Sequence, residues 1–231
     1  INIGDKETMA LSSRAGRSLF FSGSETNHLS TNKHLIFSAE MIESFPVVKG
    51  EVIQNGNRQA FVSHLPGAYN YENILVSAAV ASYFKVPFGR IAEALGSYIP
   101  SNSRSEIKKI GSSTILFDAY NANPDSVAAA LSWMASRDES RKVVILGELA
   151  ELGSFAKTEH ATAATLAKGI PGSEVAFFGD VYSEVEDIDP SLVFNSIEAL
   201  KTWLSSFLGE PDTVILMKGS RSNRLERLLE A

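Results

Sequence analysis

Residues 114–134 read TILFDAYNANPDSVAAALSWM. An apolar run ends at Asp118, a short polar stretch follows, and Pro124 opens a segment in which Val127, Ala130, Leu131 and Met134 recur on one helical face. Asn123 can cap that helix, and Pro124 suits its first turn. The same order of apolar strand, polar tip and helix returns downstream. VVIL (143–146) runs into Gly147-Glu148, with a helix near 159–169 after it. VAFF (175–178) runs into Gly179-Asp180, and a helix starts at Ser196, where Asn195 and Glu198 have the spacing of a capping box. TVILM (213–217) runs into Lys218-Gly219-Ser220-Arg221, with a last helix over 221–230. SEIKKI (105–110) and TILF (114–117) make strands around Gly111-Ser112. Uniformly apolar strands alternating with helices predict an α/β domain, a Rossmann-like, mainly parallel sheet with helices on both faces.

The preceding segment reads as a separate unit. SLFFS (18–22) predicts a short buried strand. VVKGEVIQ (47–54) and RQAFVSH (58–64) flank Asn55-Gly56-Asn57 and predict a hairpin, because Asn-Gly supplies the positive φ angles of a tight turn. A helix is expected from about residue 70 to 85, with Val76, Ala79, Val80, Tyr83 and Phe84 on its apolar face. Pro87 opens a second helix and Gly96 closes it. IPSNS (99–103) has turn formers and little to bury, so the boundary falls there: 1–99, a hinge at 100–104, and 105–231.

Composition removes several classes of function. The chain has 231 residues, 44% hydrophobic and 21% charged, which is ordinary globular composition. It carries 21 basic and 27 acidic residues without a clustered basic run, so nucleic acid is not an expected partner. Cysteine is absent, which excludes disulfides, thiolate metal sites and a cysteine nucleophile. No apolar run reaches the roughly 18 residues of a membrane span. The N-terminus lacks the pattern of a signal peptide and begins with Ile1, so a trimmed or partial chain is expected.

Four polar strand tips suggest one rim, because ligands of open parallel sheets bind beyond the carboxyl ends of the strands. Asp118 can accept two hydroxyl hydrogen bonds, as ribose requires. Asn121 and Asn123 stand near a helix N-terminus, where Asn123 also fits a plain cap. Lys218 and Arg221 bring two cations to a strand-to-helix turn. Arg104 in NSRSE (102–106) can reach a phosphate from the hinge, or simply face solvent. Asn70 and Asn73, three apart, share a helix face and can read an adenine edge; Asn70 can equally cap the helix. His28, His34, His64 and His160 show no metal-ligand spacing, and no metal site is expected. His160 is a candidate substrate contact. The chain has no GxSxG, HExxH, GxGxxG or GxxxxGK[ST].

HLPGAYNYEN (64–73), NSRSE (102–106), DAYNANPDS (118–126), LGELAELG (146–153) with His160, and KGSR (218–221) occur in an order that resembles the Mur ligases. The resemblance is good over residues 60–231 and looser before. It implies the distal part of a central ATPase domain followed by a Rossmann-like C-terminal ligase domain, with the P-loop and the magnesium ligands upstream of Ile1. The YNANP string points to the family member that uses ATP and Mg2+ to join D-alanyl-D-alanine to UDP-N-acetylmuramoyl-tripeptide through an acyl phosphate. That reaction belongs to cytoplasmic peptidoglycan precursor synthesis, and a monomer is expected. By the same resemblance, Asn70 and Asn73 lie near adenine, Arg104 reaches ATP ribose or phosphate, and Asp118 holds the ribose hydroxyls. Tyr120, Asn121 and Asn123 shape the substrate cleft with His160, while Lys218 and Arg221 approach peptide carboxylates. Many family members carry His where Tyr69 stands and a second acid where Phe117 stands, which leaves ribose to Asp118 alone. Asp118→Ala is expected to weaken ATP use without unfolding the domain. Other readings are a P-loop-less nucleotide or peptide binding module, or another Mur-type or folylpolyglutamate-type ligase. A dehydrogenase reading fails for want of GxGxxG.

Overall fold

The computed structural model describes residues 10, 20–22, 35–44, 46–101 and 103–230. Ser18, Leu19, His28, His34 and Asn102 therefore lie outside the described residues. The chain divides into two compact units, Ile1–Ile99 and Pro100–Ala231.

In the first unit, strands β1 (Phe20–Ser22), β2 (Leu35–Glu43), β3 (Lys49–Gln54) and β4 (Asn57–Val62) form a sheet in sequence order. β1 runs parallel to β2, and the other neighbours are antiparallel. Asn55 and Gly56 both take positive φ, 52° and 80°, and close the β3–β4 hairpin as expected from Asn-Gly. Glycine at 50 lets the strands close up: a Cβ there would sit 2.4 Å from the Glu40 carbonyl oxygen. Helices α1 (Tyr69–Tyr83) and α2 (Phe88–Ser97) follow the sheet in this unit.

Helix α1 turns inward a stripe that shares only Ala79 with the one its periodicity suggested. Asn70, Tyr71, Ile74, Leu75, Ala78 and Ala79 are buried. Val76, Val80, Tyr83 and Phe84 are exposed, Phe84 at 73%. The helix is apolar on two sides, so spacing alone does not choose between them. Ile74 and Leu75 supply core volume beside Phe37, Val52 and Phe61, while Ala78 and Ala79 permit close approach to the sheet.

The second unit holds β5 (Glu106–Ile110), β6 (Ser113–Asp118), α3 (Pro124–Ala135), β7 (Arg141–Gly147), α4 (Ala156–Lys168), β8 (Ser173–Phe178), β9 (Val193–Phe194), α5 (Ile197–Leu204) and β10 (Thr213–Lys218). The sheet order is β5-β6-β10-β7-β8-β9. Only the β5–β6 hairpin is antiparallel among these neighbours. Alternate residues of each central strand enter different cores. Leu116, Val144 and Leu216 pack with α3 and α4, while Ile115, Val143 and Ile215 pack with α5. That two-sided burial explains why the strands are apolar throughout.

Asn123 caps α3 as expected. Its side chain accepts from Ser126 N at 2.8 Å, and Ser126 Oγ accepts in return from Asn123 N. At α5 the cap is Ser196 and not Asn195: Ser196 Oγ accepts from Ala199 N. The last expected helix is instead two short 3-10 turns, Arg221–Asn223 and Leu225–Leu229. Arg224 between them has φ of +52°, which an α-helix cannot pass through. β2 and β9 were not anticipated. β2 carries Ser38, Glu40 and Glu43 among its apolar residues, and β9 is only two residues long.

The inward face of α1 is checked by paired truncations in a denaturant titration. Leu75→Ala is expected to cost about 3 kcal/mol, a typical core cavity, whereas Val80→Ala stays within about 0.5 kcal/mol.

Candidate active-site rim at the carboxyl ends of the strands

β6 and β10 lie side by side with Asp118 opposite Lys218. Lys218 Nζ is 3.1 Å from Asp118 Oδ2 and also donates to the carbonyl oxygen of Asn121. The Lys218 side chain is 1% exposed. Burial pushes the ammonium below its usual pKa, and the Asp118 charge and hydrogen bond oppose that shift. The other oxygen of Asp118, Oδ1, accepts from Ser105 N at 2.9 Å and Ser105 Oγ at 3.4 Å. One carboxylate thus neutralises a buried cation and pins the linker residue that enters the domain.

Two roles change in consequence. Lys218 is enclosed and does not face a peptide carboxylate. Asp118→Ala is no longer a clean test of nucleotide binding, because it strands a buried ammonium. Asp118 retains acceptor capacity, since an ionised carboxylate offers about four lone-pair sites and three contacts are recorded.

Above this pair sits a cluster that sequence reasoning named residue by residue but did not join. Ser103 and Ser105 take φ of +61° and +50° on either side of Arg104. The Arg104 guanidinium lies 3.8 Å from the Tyr120 ring centroid, and the Arg221 guanidinium lies 5.5 Å from the same ring. Both arginines are exposed and Tyr120 is half-buried. Asn121 is exposed, with its Oδ1 accepting from Ala122 N. Asn123 is committed to the α3 cap, which accounts for it without a substrate.

His160 also departs from expectation. It is 2% exposed. Nε2 accepts from Leu149 N at 2.9 Å, Nδ1 lies 2.7 Å from the Ala156 carbonyl oxygen, and the ring meets Tyr182 edge-on. The imidazole therefore ties the loop after β7 to α4 and has no nitrogen left for a substrate. Tyr182, which no motif signalled, donates to the Gly147 carbonyl oxygen at 3.0 Å. Burial, with the Glu148 charge beside it, pushes its phenol well above the ordinary tyrosine pKa. Gly179, at φ of +127°, leaves room for Glu148: a Cβ there would stand 2.2 Å from Glu148 Cγ.

In the first unit, Asn70 is buried and does not cap α1. Its Nδ2 donates to the Pro66 carbonyl oxygen at 2.7 Å, and its Oδ1 accepts from Asn73 Nδ2 at 3.4 Å. The two amides do face each other, and Asn73 is the exposed member. Among the described residues no group of three or more His, Asp or Glu could hold a metal ion. No helix among the described residues is long and apolar enough to cross a membrane.

Residues 103–221 match the family described as Mur ligase, glutamate ligase domain. The chain belongs to the Mur ligase family. Within it, the chain is 34% identical over 193 residues to the UDP-N-acetylmuramoyl-tripeptide–D-alanyl-D-alanine ligase of Treponema pallidum, covering 77% of this chain and 42% of that one. It is 38% identical over 120 residues to the ligase of the same name from Mycobacterium tuberculosis, covering 49% and 24%. The fold resembles the solved MurF of Acinetobacter baumannii, with a TM-score of 0.80 at 20% identity over 99% of this chain and 50% of that one. It also resembles the MurF of Thermotoga maritima solved with ADP, with a TM-score of 0.77 at 19% identity over 97% and 50%. The chain thus spans half or less of each of these proteins. The family match runs from Ser103 to Arg221, from one side of the Arg104–Tyr120–Arg221 cluster to the other.

Lys218→Met leaves Asp118 without its counterion and is expected to destabilise the second unit by about 3 kcal/mol. Asp118→Asn with Lys218→Met together should recover part of that loss, and a double-mutant cycle from denaturant titrations measures it. His160→Ala is expected to cost about 2 kcal/mol by orphaning Leu149 N and opening a cavity. Ligand affinity measured in parallel should move less than threefold for the refolded variant.

Proposed function

We propose that this chain is the C-terminal part of an ADP-forming amide ligase of peptidoglycan precursor synthesis. Residues 1–99 are then the distal part of a central ATPase domain, 100–104 its hinge, and 105–231 the C-terminal ligase domain. The observation that carries the reading is the 34% identity to a relative named for joining D-alanyl-D-alanine to UDP-N-acetylmuramoyl-tripeptide. The rim supports it, since the family motifs gather at the carboxyl ends of β6, β7 and β10.

In this reading the terminal carboxylate of the tripeptide takes the γ-phosphoryl group of ATP, releasing ADP. The amine of D-alanyl-D-alanine then attacks the acyl phosphate, and phosphate leaves as the amide forms. Positioning and charge neutralisation dominate such a reaction. Asn73, held by Asn70, offers an amide edge for adenine. Asp118 accepts ribose hydroxyls with the lone pairs that Ser105 and Lys218 leave. Arg104 and Arg221 supply exposed positive charge, and Tyr120 and Asn121 line the peptide side. The chain has no GxxxxGK[ST] loop to cradle phosphates.

The reaction is tested by phosphate release from ATP with magnesium, UDP-N-acetylmuramoyl-tripeptide and D-alanyl-D-alanine. The 231-residue chain and the longest gene product that contains it are compared. Release that depends on the dipeptide is expected from the longer protein only. A longer protein that carries a P-loop and releases no phosphate would overturn the assignment.

A further inference from the structure

Ten of the twelve large apolar side chains exposed among the described residues belong to the first unit, so the unfinished surface of this chain lies there. Four of the ten, Val76, Val80, Tyr83 and Phe84, recur at i, i+4, i+7 and i+8 along α1 and just past its end. They make one outward stripe, each side chain 44 to 73% exposed. Residues 74–84 carry no charged side chain. A helix at a water surface keeps polar groups outward, whereas a helix that is apolar on opposite sides is covered on both. One side of α1 rests on the sheet through Ile74, Leu75, Ala78 and Ala79. The other side has no cover among the described residues.

The stripe is also held in a fixed shape. Lys85 takes φ of +61°, and its N donates to the Ser82 carbonyl oxygen at 3.0 Å. Val86 N donates to the Ala81 carbonyl oxygen at 3.0 Å. The two bonds close α1 in a Schellman motif, with lysine where glycine is usual. Left-handed backbone at a non-glycine residue persists only where its surroundings enforce it. Just before this turn the rings of Tyr83 and Phe84 meet edge-on, their centroids 5.1 Å apart. A surface built this way costs little further ordering when a partner seats on it.

We propose that the Val76–Val80–Tyr83–Phe84 stripe is the seat of the remaining part of the same polypeptide, the part that precedes Ile1 in the longer ligase. The inference rests on the reading of this chain as the C-terminal part of such a ligase. Length supplies the occupant: the Treponema pallidum relative is matched over 42% of its length and the two solved MurF chains over 50% each, so each carries at least as much chain again outside the match. Tethering supplies the preference, because a linked segment faces the stripe at an effective concentration on the order of millimolar. A second copy of the chain would have to reach that concentration free in solution. The stripe offers no charge to pair, so the surface that covers it is an apolar layer of aliphatic or aromatic side chains.

The absence of cysteine makes the test direct. Val80→Cys and Phe84→Cys are introduced singly into the 231-residue chain and into the longest gene product that contains it. The rate of maleimide labelling at each site is read by mass spectrometry of the labelled peptide. Glu174→Cys, exposed in the second unit, sets the rate of an open thiol in the 231-residue chain. Val80→Cys and Phe84→Cys should label at that rate in the 231-residue chain and about tenfold or more slowly in the longer protein. Equal rates in the two proteins overturn the proposal. So does protection already present in the 231-residue chain: protection that grows with protein concentration gives the stripe to a second copy, and protection that does not gives it to the chain's own residues. A gene that encodes these 231 residues alone leaves the stripe without this occupant and overturns it too. Labelling needs no turnover. A longer protein that shields both thiols but releases no phosphate keeps this interface and loses only the reaction, and an active ligase with both thiols open loses only the interface.

Discussion

An ammonium enclosed at the end of a central strand must have an anion beside it. In this chain that requirement is met by Lys218 and Asp118, paired across adjacent parallel strands. Such a pair costs desolvation on both sides, and it persists where each partner makes further hydrogen bonds. Lys218 reaches the carbonyl oxygen of Asn121 and so fixes the turn after β6. Asp118 reaches Ser105 and so fixes the chain where it enters the domain. The turn that presents Tyr120 and the linker that presents Arg104 are both anchored by one ion pair. The rim takes its shape from this electrostatic constraint.

The division of labour along the rim follows. Groups that look chemically versatile in sequence are largely engaged inside the protein. His160 ties a loop to a helix, Asn123 caps α3, Tyr182 anchors the end of β7, and Lys218 balances Asp118. Arg104, Arg221 and Asn121 remain exposed there, with the half-buried Tyr120 ring against both guanidiniums. Exposed guanidinium forks of this kind are suited to binding and orienting anions. They suit a family in which positioning and charge neutralisation do most of the work.

The α/β architecture of the second unit was legible because each strand is buried on two faces and each strand end is polar. The α3 cap was legible from Asn123-Pro124. The inward stripe of α1 was not. That helix is apolar on two sides, and its choice depends on Phe37, Val52 and Phe61, which are far away in sequence. The final helix was misread because nothing local marks Arg224 as left-handed. The site motifs were visible, but their roles were not: whether His160 or Lys218 faces solvent depends on neighbours 11 to 100 residues distant along the chain. The convergence of Arg104 and Arg221 on Tyr120 is likewise a property of the fold, with no signature in spacing.

The central claim is that the buried pair pins the linker and with it the outward face of the rim. Native-state hydrogen exchange at the Ser105 amide tests it most directly. That amide sits next to left-handed backbone in a segment with the composition of a linker, where rapid exchange is the ordinary expectation. If Asp118 holds it, the Ser105 amide should be protected to nearly the same degree as the amides of β6. Exchange at the rate of an open loop, with β6 still protected, would contradict the account.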